Sequence, residues 1–200
     1  MLDNNAFTPN FEYYPLNKTI MDVARILNGQ AALQQINFAV NVPSQEVTVL
    51  LDQLRLQQVI INLLSNAIKF SKANDTITIE VTTETKPDHQ NRDITVWIKV
   101  TDKGIGISQQ DLKNLFTPFF KTTEDQNRVK NKGSHGLGLS ICQEIVKGMN
   151  GHIEVQSELG VGSTFTIVLK TQIYDRSFEQ KTVSLCFILS CFRSSTSKNT

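Results

Sequence analysis

Cysteine is scarce in this chain, and the little there is has no pattern. Cys142, Cys186 and Cys191 stand alone among 200 residues. Their number is odd and no C-x-x-C pair occurs, which argues against a disulfide framework or a zinc site and for a reducing compartment. Charge of one sign is also missing. The formal net charge is +1, so no strong field draws the chain to nucleic acid or to an anionic membrane. No long hydrophobic run is present: the longest apolar stretch, residues 183–192, is about half the ~20 residues that a membrane helix needs. Residues 1–5 lack the basic and apolar regions of a signal peptide. The expectation is a soluble, cytoplasmic protein without a membrane segment.

Several motifs are absent as well. Neither of two glycine pairs extends to G-x-G-x-x-G, which speaks against a Rossmann dinucleotide site. No G-x-x-x-x-G-K-[ST] occurs, so there is no Walker loop, and H-R-D and D-F-G are missing, which excludes the common Ser/Thr/Tyr kinase fold. His89, His135 and His152 are far apart and lack metal-ligand spacing.

What is present is ordinary globular composition, 40% apolar and 20% charged, long enough for one domain with a two-layer core. Residues 1–15 read as an irregular lead-in. Apolar spacing predicts a helix over residues 16–34, with Ile20, Val23, Ile26 and Leu27 on one side. A short strand follows at 38–42, then a helix at 51–70. Alternation at Ile77, Ile79 and Val81, and again at Ile94, Val96, Ile98 and Val100, predicts two strands joined by a solvated connection at 85–91. Ser108-Gln-Gln-Asp111 fits a capping box, with Asp for the usual Glu, and starts a short helix ending near Phe116. Residues 121–135 are polar and read as a mobile loop. A third long helix covers 137–149 and closes at Asn150-Gly151. Strands at 152–156 and 163–169 form a hairpin around Gly160-Val-Gly162, and 172–200 read as a poorly ordered tail. The order predicts an α+β fold: a two-layer α/β sandwich, with helices on one face of a mixed, mostly antiparallel sheet.

Three features carry chemistry. On the second helix Arg55, Gln58, Asn62, Asn66 and Lys69 fall within an arc of about 80°, at ~3.6 residues per turn. Apolar side chains fill most of the remainder, so one narrow polar line runs along a buried helix. Asparagine costs several tenths of a kcal/mol against alanine in a helix. Asn62 and Asn66 are either buried amides bonded to backbone or ligand groups. An amide oxygen suits Mg²⁺, and Lys69 is placed for a phosphate.

Asp102 shares the parity of Ile94 to Val100, which turns its carboxylate toward the apolar face, where it must be paired or bound to a ligand. It either caps a turn or accepts from an exocyclic amine such as that of adenine. Gly104 and Gly106 then let backbone approach a planar ring. Finally, Gly133-Ser-His-Gly-Leu-Gly-Leu139 runs into a helix. Gly136 and Gly138 free its N–H groups for an anion, with Leu137 and Leu139 packed beneath. It reads as a plain turn or as the end of a closing lid. Phe116-Thr-Pro-Phe-Phe120 either hinges that lid by burying aromatics or simply stops a helix at Pro118.

Four blocks therefore stand in order: Asn62-Leu-Leu-Ser-Asn66-Ala-Ile-Lys-Phe70, Asp102-Lys-Gly-Ile-Gly106, Phe116-Thr-Pro-Phe119 and Gly133 to Leu139. Their order and spacing, within residues 16–170, closely resemble the N, G1, F and G2 boxes of sensor histidine kinases. The catalytic ATP-binding domain of that family has the Bergerat fold, shared with gyrase-type ATPases. The resemblance implies an ATP-dependent protein histidine kinase domain over residues 16–171, acting in two-component phosphorelay signalling. It implies Asn66 on Mg²⁺ with Asn62 beside the metal and phosphates, and Lys69 on phosphate. Asp102 would bond the adenine amine, Gly104 and Gly106 would shape the adenine pocket, and Gly136 and Gly138 would line the phosphate side of the lid. Ser163, with the parity of Phe165, would place a hydroxyl near adenine. The family's implied partners are a histidine-bearing dimerisation hairpin and a receiver domain. No histidine precedes His89, so the expectation is that the acceptor lies on another chain or on a hairpin upstream of this sequence. Gyrase-type ATPases put a glutamate where Asn62 stands, and the serine kinases of mitochondrial dehydrogenases usually do too. A gyrase-type ATPase and a non-catalytic nucleotide-binding module are the remaining alternatives.

Overall fold

The computed structural model describes residues 9–85, 92–122 and 136–174. The elements run β1 (Glu12–Pro15), α1 (Leu16–Leu33), β2 (Asn37–Asn41), β3 (Thr48–Leu51), α2 (Gln53–Phe70), β4 (Thr76–Thr85) and β5 (Asp93–Asp102). Then come α3 (Gln109–Leu112), α4 (Gly138–Gly148), β6 (Gly151–Glu158) and β7 (Gly162–Gln172). Five strands form one sheet in the order β2-β4-β5-β7-β6. Only β2–β4 is parallel; the other three pairs are antiparallel.

Alternation explains the two layers. Ile77, Ile79 and Val81 of β4, Ile94 to Val100 of β5, and Phe165, Ile167 and Leu169 of β7 are buried, while their neighbours are not uniformly so. This apolar face meets the helices. Central α2 touches β4 and β5 and is flanked by α1 and α4, which cover β2 and β6. The fold is the expected two-layer sandwich. In α2, Leu56, Val59, Ile60, Leu63, Leu64 and Ile68 are at most 1% exposed; besides the polar line, Leu54 at the start of the helix is exposed and Ile61 is only partly buried.

The helix starts differ from the pattern. Asp52, not Leu51, opens α2: its carboxylate accepts from Arg55 N at 3.0 Å and from Asn10 N at 2.9 Å. Pro15 offers α1 no side-chain cap. Glu46 supplies one from a distant loop, accepting from Asn17 N at 2.8 Å and Lys18 N at 3.1 Å. These are orphan donors of a helix N-terminus, and a carboxylate suits them.

Other expectations are corrected. Residues 12–15 are not irregular, because β1 pairs antiparallel with β3, from Glu12 opposite Leu51 to Pro15 opposite Thr48. Ile26 is 67% exposed, since it lies well off the stripe of Ile20, Val23 and Leu27; Ala24 and Ala31 complete that stripe instead. The short helix α3 stops at Leu112 rather than near Phe116, although the Ser108 hydroxyl does accept from Asp111 N at 3.1 Å. Order extends past residue 171: Ile173 bridges to Val49 and Tyr174 N bonds Thr48 O at 2.9 Å. At the end of α4, Asn150 alone takes the left-handed conformation (φ 58°). The rest of the predicted tail, most of the 85–91 connection and residues 123–135 of the predicted loop lie outside the described residues.

Candidate active site

The C-terminal part of the α2 polar line, Asn62, Asn66 and Lys69, faces one cleft of about 380 Å³, whereas Arg55 and Gln58 lie outside it, with Arg55 Nη1 donating to Gln58 Oε1 at 2.9 Å. Asn62, Asn66, Lys69, Asp102, Gly106, Gly136, Leu137, Gly138, Leu139 and Ser163 all line it. Gly104 is the one predicted residue not in the wall. It lies behind, where a β-carbon would press on the Phe70 carbonyl. Its N–H donates to Asp102 Oδ1 at 2.8 Å, and the next residue, Ile105, donates to Phe70 O at 3.3 Å. Gly104 thus ties the β5 turn to the end of α2.

Asn62 and Asn66 bond to each other, Nδ2 of Asn66 to Oδ1 of Asn62 at 3.1 Å, rather than to backbone. Among the described residues Asn66 Oδ1 accepts no hydrogen bond. Lys69 follows one turn on, with Nζ 4.6 Å from the centroid of the Phe70 ring. The N-terminus of α4 stands against this stripe, and a β-carbon on Gly138 would overlap the Asn62 amide. Its first N–H groups, which lack intrahelical partners, therefore open next to the two amides.

Across the cleft Asp102 is 8% exposed. Burial pushes its pKa above the ordinary carboxylate value; backbone hydrogen bonds from Gly104 and Ser163 pull it partly back, and Asp75 adds repulsion. Gly106 has φ 69°, and a β-carbon there would overlap the Glu158 carbonyl, so the loop needs glycine for both conformation and space. Ser163 is the register partner of Asp102 across β5 and β7.

The aromatic block works as a clasp rather than a buried plug. Phe116 is partly buried against the core and Phe120 lines the cleft, but Phe119 is 72% exposed. Phe119 N bonds Gly136 O at 2.9 Å, which joins the F block to the second glycine block. Lys121 and Thr122, which the sequence places at the start of the mobile loop, also line the cleft. The only signal was a cation directly after Phe119-Phe120. Ile105, Ile107, Leu115 and Phe165 give the cleft apolar walls. Among the described residues no group of three His, Cys, Asp or Glu side chains stands together to hold a metal. The polar groups that line the cleft are two amides, two hydroxyls, two lysines and one carboxylate, beside the helix N–H groups.

A two-layer sandwich with such a cleft between a long helix and the sheet defines a nucleotide-binding class. Residues 51–173 match the family described as histidine kinase-, DNA gyrase B-, and HSP90-like ATPase, and the chain belongs to that family. Within it, this stretch corresponds to the ATP-binding catalytic domain of sensor histidine kinases. Sensor histidine kinase AtsR of Burkholderia thailandensis is 31% identical over 154 residues, 77% of this chain and 24% of that protein. Sensor histidine kinase RcsC of Escherichia coli is 41% identical over 130 residues, 65% of this chain and 12% of that protein. The chain thus spans about a quarter or less of these curated relatives. Among solved structures, full-length ShkA in complex with AMPPNP superposes with a TM-score of 0.69 at 24% identity, over 84% of this chain and 33% of that one; this is a likeness of fold. The catalytic domain of histidine kinase ThkA gives 0.62 at 25% identity, over 80% and 95%. No helix among the described residues is long and apolar enough to cross a membrane.

Proposed function

We propose that this domain binds ATP with Mg²⁺ and transfers the γ-phosphoryl group to a histidine on a dimerisation hairpin, for relay to a receiver domain. One observation carries the choice of transfer over hydrolysis. Asp102 is the sole carboxylate among the described lining residues, and it is already engaged by Gly104 N at the sheet side of the cleft. On the helix side stands Asn62, an amide that cannot take a proton from water.

Each residue then has a task. Asp102 accepts from the adenine amine, and Ser163 places its hydroxyl beside it. Asn66 Oδ1, an amide oxygen with no donor among the described residues, fits a hard cation that takes oxygen ligands. Bound there, Mg²⁺ would neutralise phosphate charge. Asn62 keeps the Asn66 amide oriented, Lys69 and Lys121 add positive charge, and the N–H groups at Gly138 receive phosphate oxygens. Gly136, Leu137 and Leu139 shape that end. A neutral imidazole is itself a nucleophile, so transfer needs position and charge neutralisation more than a protein base.

The test supplies the purified chain with γ-labelled ATP and a separate histidine-bearing hairpin from a sensor kinase. Acid-labile, alkali-stable label on the hairpin is the expected result. Steady-state hydrolysis with no label would assign a gyrase-type ATPase. Nucleotide binding with neither outcome would leave a non-catalytic module.

A further inference from the structure

Ser157 lies outside the cleft wall, on β6, in register with Ser163 on β7. Its Oγ has three polar neighbours. Ile107 N lies at 2.8 Å, Gly162 O at 2.9 Å and Ser163 Oγ at 2.9 Å. A hydroxyl has one proton to give and two lone pairs to receive with. The Ile107 amide only donates and the Gly162 carbonyl only accepts. Ser157 therefore spends its proton on Gly162 and one lone pair on Ile107. The lone pair that remains takes the proton of Ser163.

This inventory fixes the polarity of Ser163, which is 7% exposed and lines the cleft beside Asp102. With its proton committed backward, only lone pairs are left to face a ligand. This corner then offers a carboxylate and a hydroxyl that both accept. We propose that Ser157 is a specificity-determining positioning residue: by holding Ser163 as an acceptor, it selects purines with an amino group at C6 and rejects those with an oxo group. The inference rests on the reading of the cleft as a purine-nucleotide site. An exocyclic amine brings two N–H donors to two acceptors. A 6-oxo group brings an acceptor to acceptors, and the buried oxygens on both sides lose their partners. Losing Ser157 would free the Ser163 proton to rotate toward the ligand, where it suits the oxo purine instead.

ADP and inosine diphosphate differ at this edge of the base, so their dissociation constants are the readout. Calorimetry on wild type, Ser157→Ala, Ser157→Thr, Ser163→Ala and the double alanine variant gives the ratio for each. Wild type should prefer ADP. Ser157→Ala should lower that preference about fivefold, the worth of one hydrogen bond, while Ser157→Thr retains it. In the Ser163→Ala background the Ser157 change should add nothing. Equal weakening of both nucleotides in Ser157→Ala, with the ratio unchanged, would make Ser157 a purely structural residue and overturn the inference. If Ser157→Ala fails to fold, an unchanged ratio in Ser163→Ala overturns it equally. A wild type that binds ADP but shows no preference defeats this inference alone. A wild type that binds neither nucleotide defeats the nucleotide reading with it.

Discussion

The Asn62 side chain fills the space that a β-carbon on Gly138 would need: such a carbon would stand 3.1 Å from Asn62 Cγ and overlap Nδ2. The middle of α2 and the first turn of α4 are therefore pressed together at the mouth of the cleft. Gly138→Ala should displace the amide or tilt the helix. Alanine's advantage as a helix former, about 1 kcal/mol in a helix interior, is smaller at this first helical position and offsets only a little of the stability loss. Affinity is then the cleaner readout. We expect about a tenfold loss of ATP affinity, the low end of what overpacking costs. The same change should cost less in an Asn62→Ala background, where the obstacle is gone. Equal losses in both backgrounds would show that the two residues do not compete for space.

Asn66 is one turn further along and donates to Asn62 at 3.1 Å. That bond orients its carbonyl oxygen, the group assigned to Mg²⁺. Asn66→Ala should weaken ATP binding chiefly when Mg²⁺ is present, by about tenfold or more for a hydrogen-bonded metal ligand. Titrations with Mg²⁺ and with EDTA separate the cases. The same loss under both conditions would remove Asn66 from the metal and leave it a packing residue.

If Asp102 binds the base as proposed, its burial costs stability. Its folded pKa is raised, mainly by burial. The sign follows: between the unfolded value of 3.8 and the higher folded value, the native state holds more protons, so this group's contribution to stability falls as pH rises through that window. Asp102→Asn, which keeps the shape and removes the charge, should melt no lower than wild type at pH 7. Adenine nucleotide affinity should nonetheless drop, and in Asp102→Ala by roughly 1.5–3 kcal/mol, the value of a charged hydrogen bond. In wild type, affinity should weaken as pH falls through the raised pKa. Unchanged calorimetric affinity in either variant would strip Asp102 of its role.

What could be read from the sequence was periodic or consecutive. Alternation in 94–100 gave the strand and the side of Asp102, and the wheel of α2 gave the cleft-facing line. What escaped depends on partners distant in sequence. Glu12–Pro15 is too short to announce itself, and becomes a strand only because Thr48–Leu51 lies alongside. Lys121 joins the cleft because the Phe119–Gly136 bond brings its neighbourhood back to α4, a closure that no local pattern encodes. Ile26 misled because an apolar residue off the stripe, here 67% exposed, still counts in a window.

The cap of α1 is another such long-range relationship and gives a prediction about stability alone. Glu46 holds Asn17 N and Lys18 N, while the Leu16 amide is taken by Val47 O at 2.8 Å. The Asn17 side chain reaches back to Pro43 O and Gln45 O, both at 2.9 Å, so loop and helix start secure each other. Glu46→Ala leaves two helix donors without the carboxylate. The loss should be about 1 kcal/mol, as for other N-caps: water replaces the partner at exposed Lys18, while the N–H of buried Asn17 is less well compensated. Glu46→Gln should recover part of it, because an amide oxygen still accepts but carries no charge to meet the helix dipole. The cleft lies on α2 and beyond, so ATP affinity should be unaffected in both variants. Urea unfolding measures the first quantity and calorimetry the second. A Glu46→Ala protein as stable as wild type would mean that Val47 O and solvent suffice to start α1, and that the carboxylate only marks the spot.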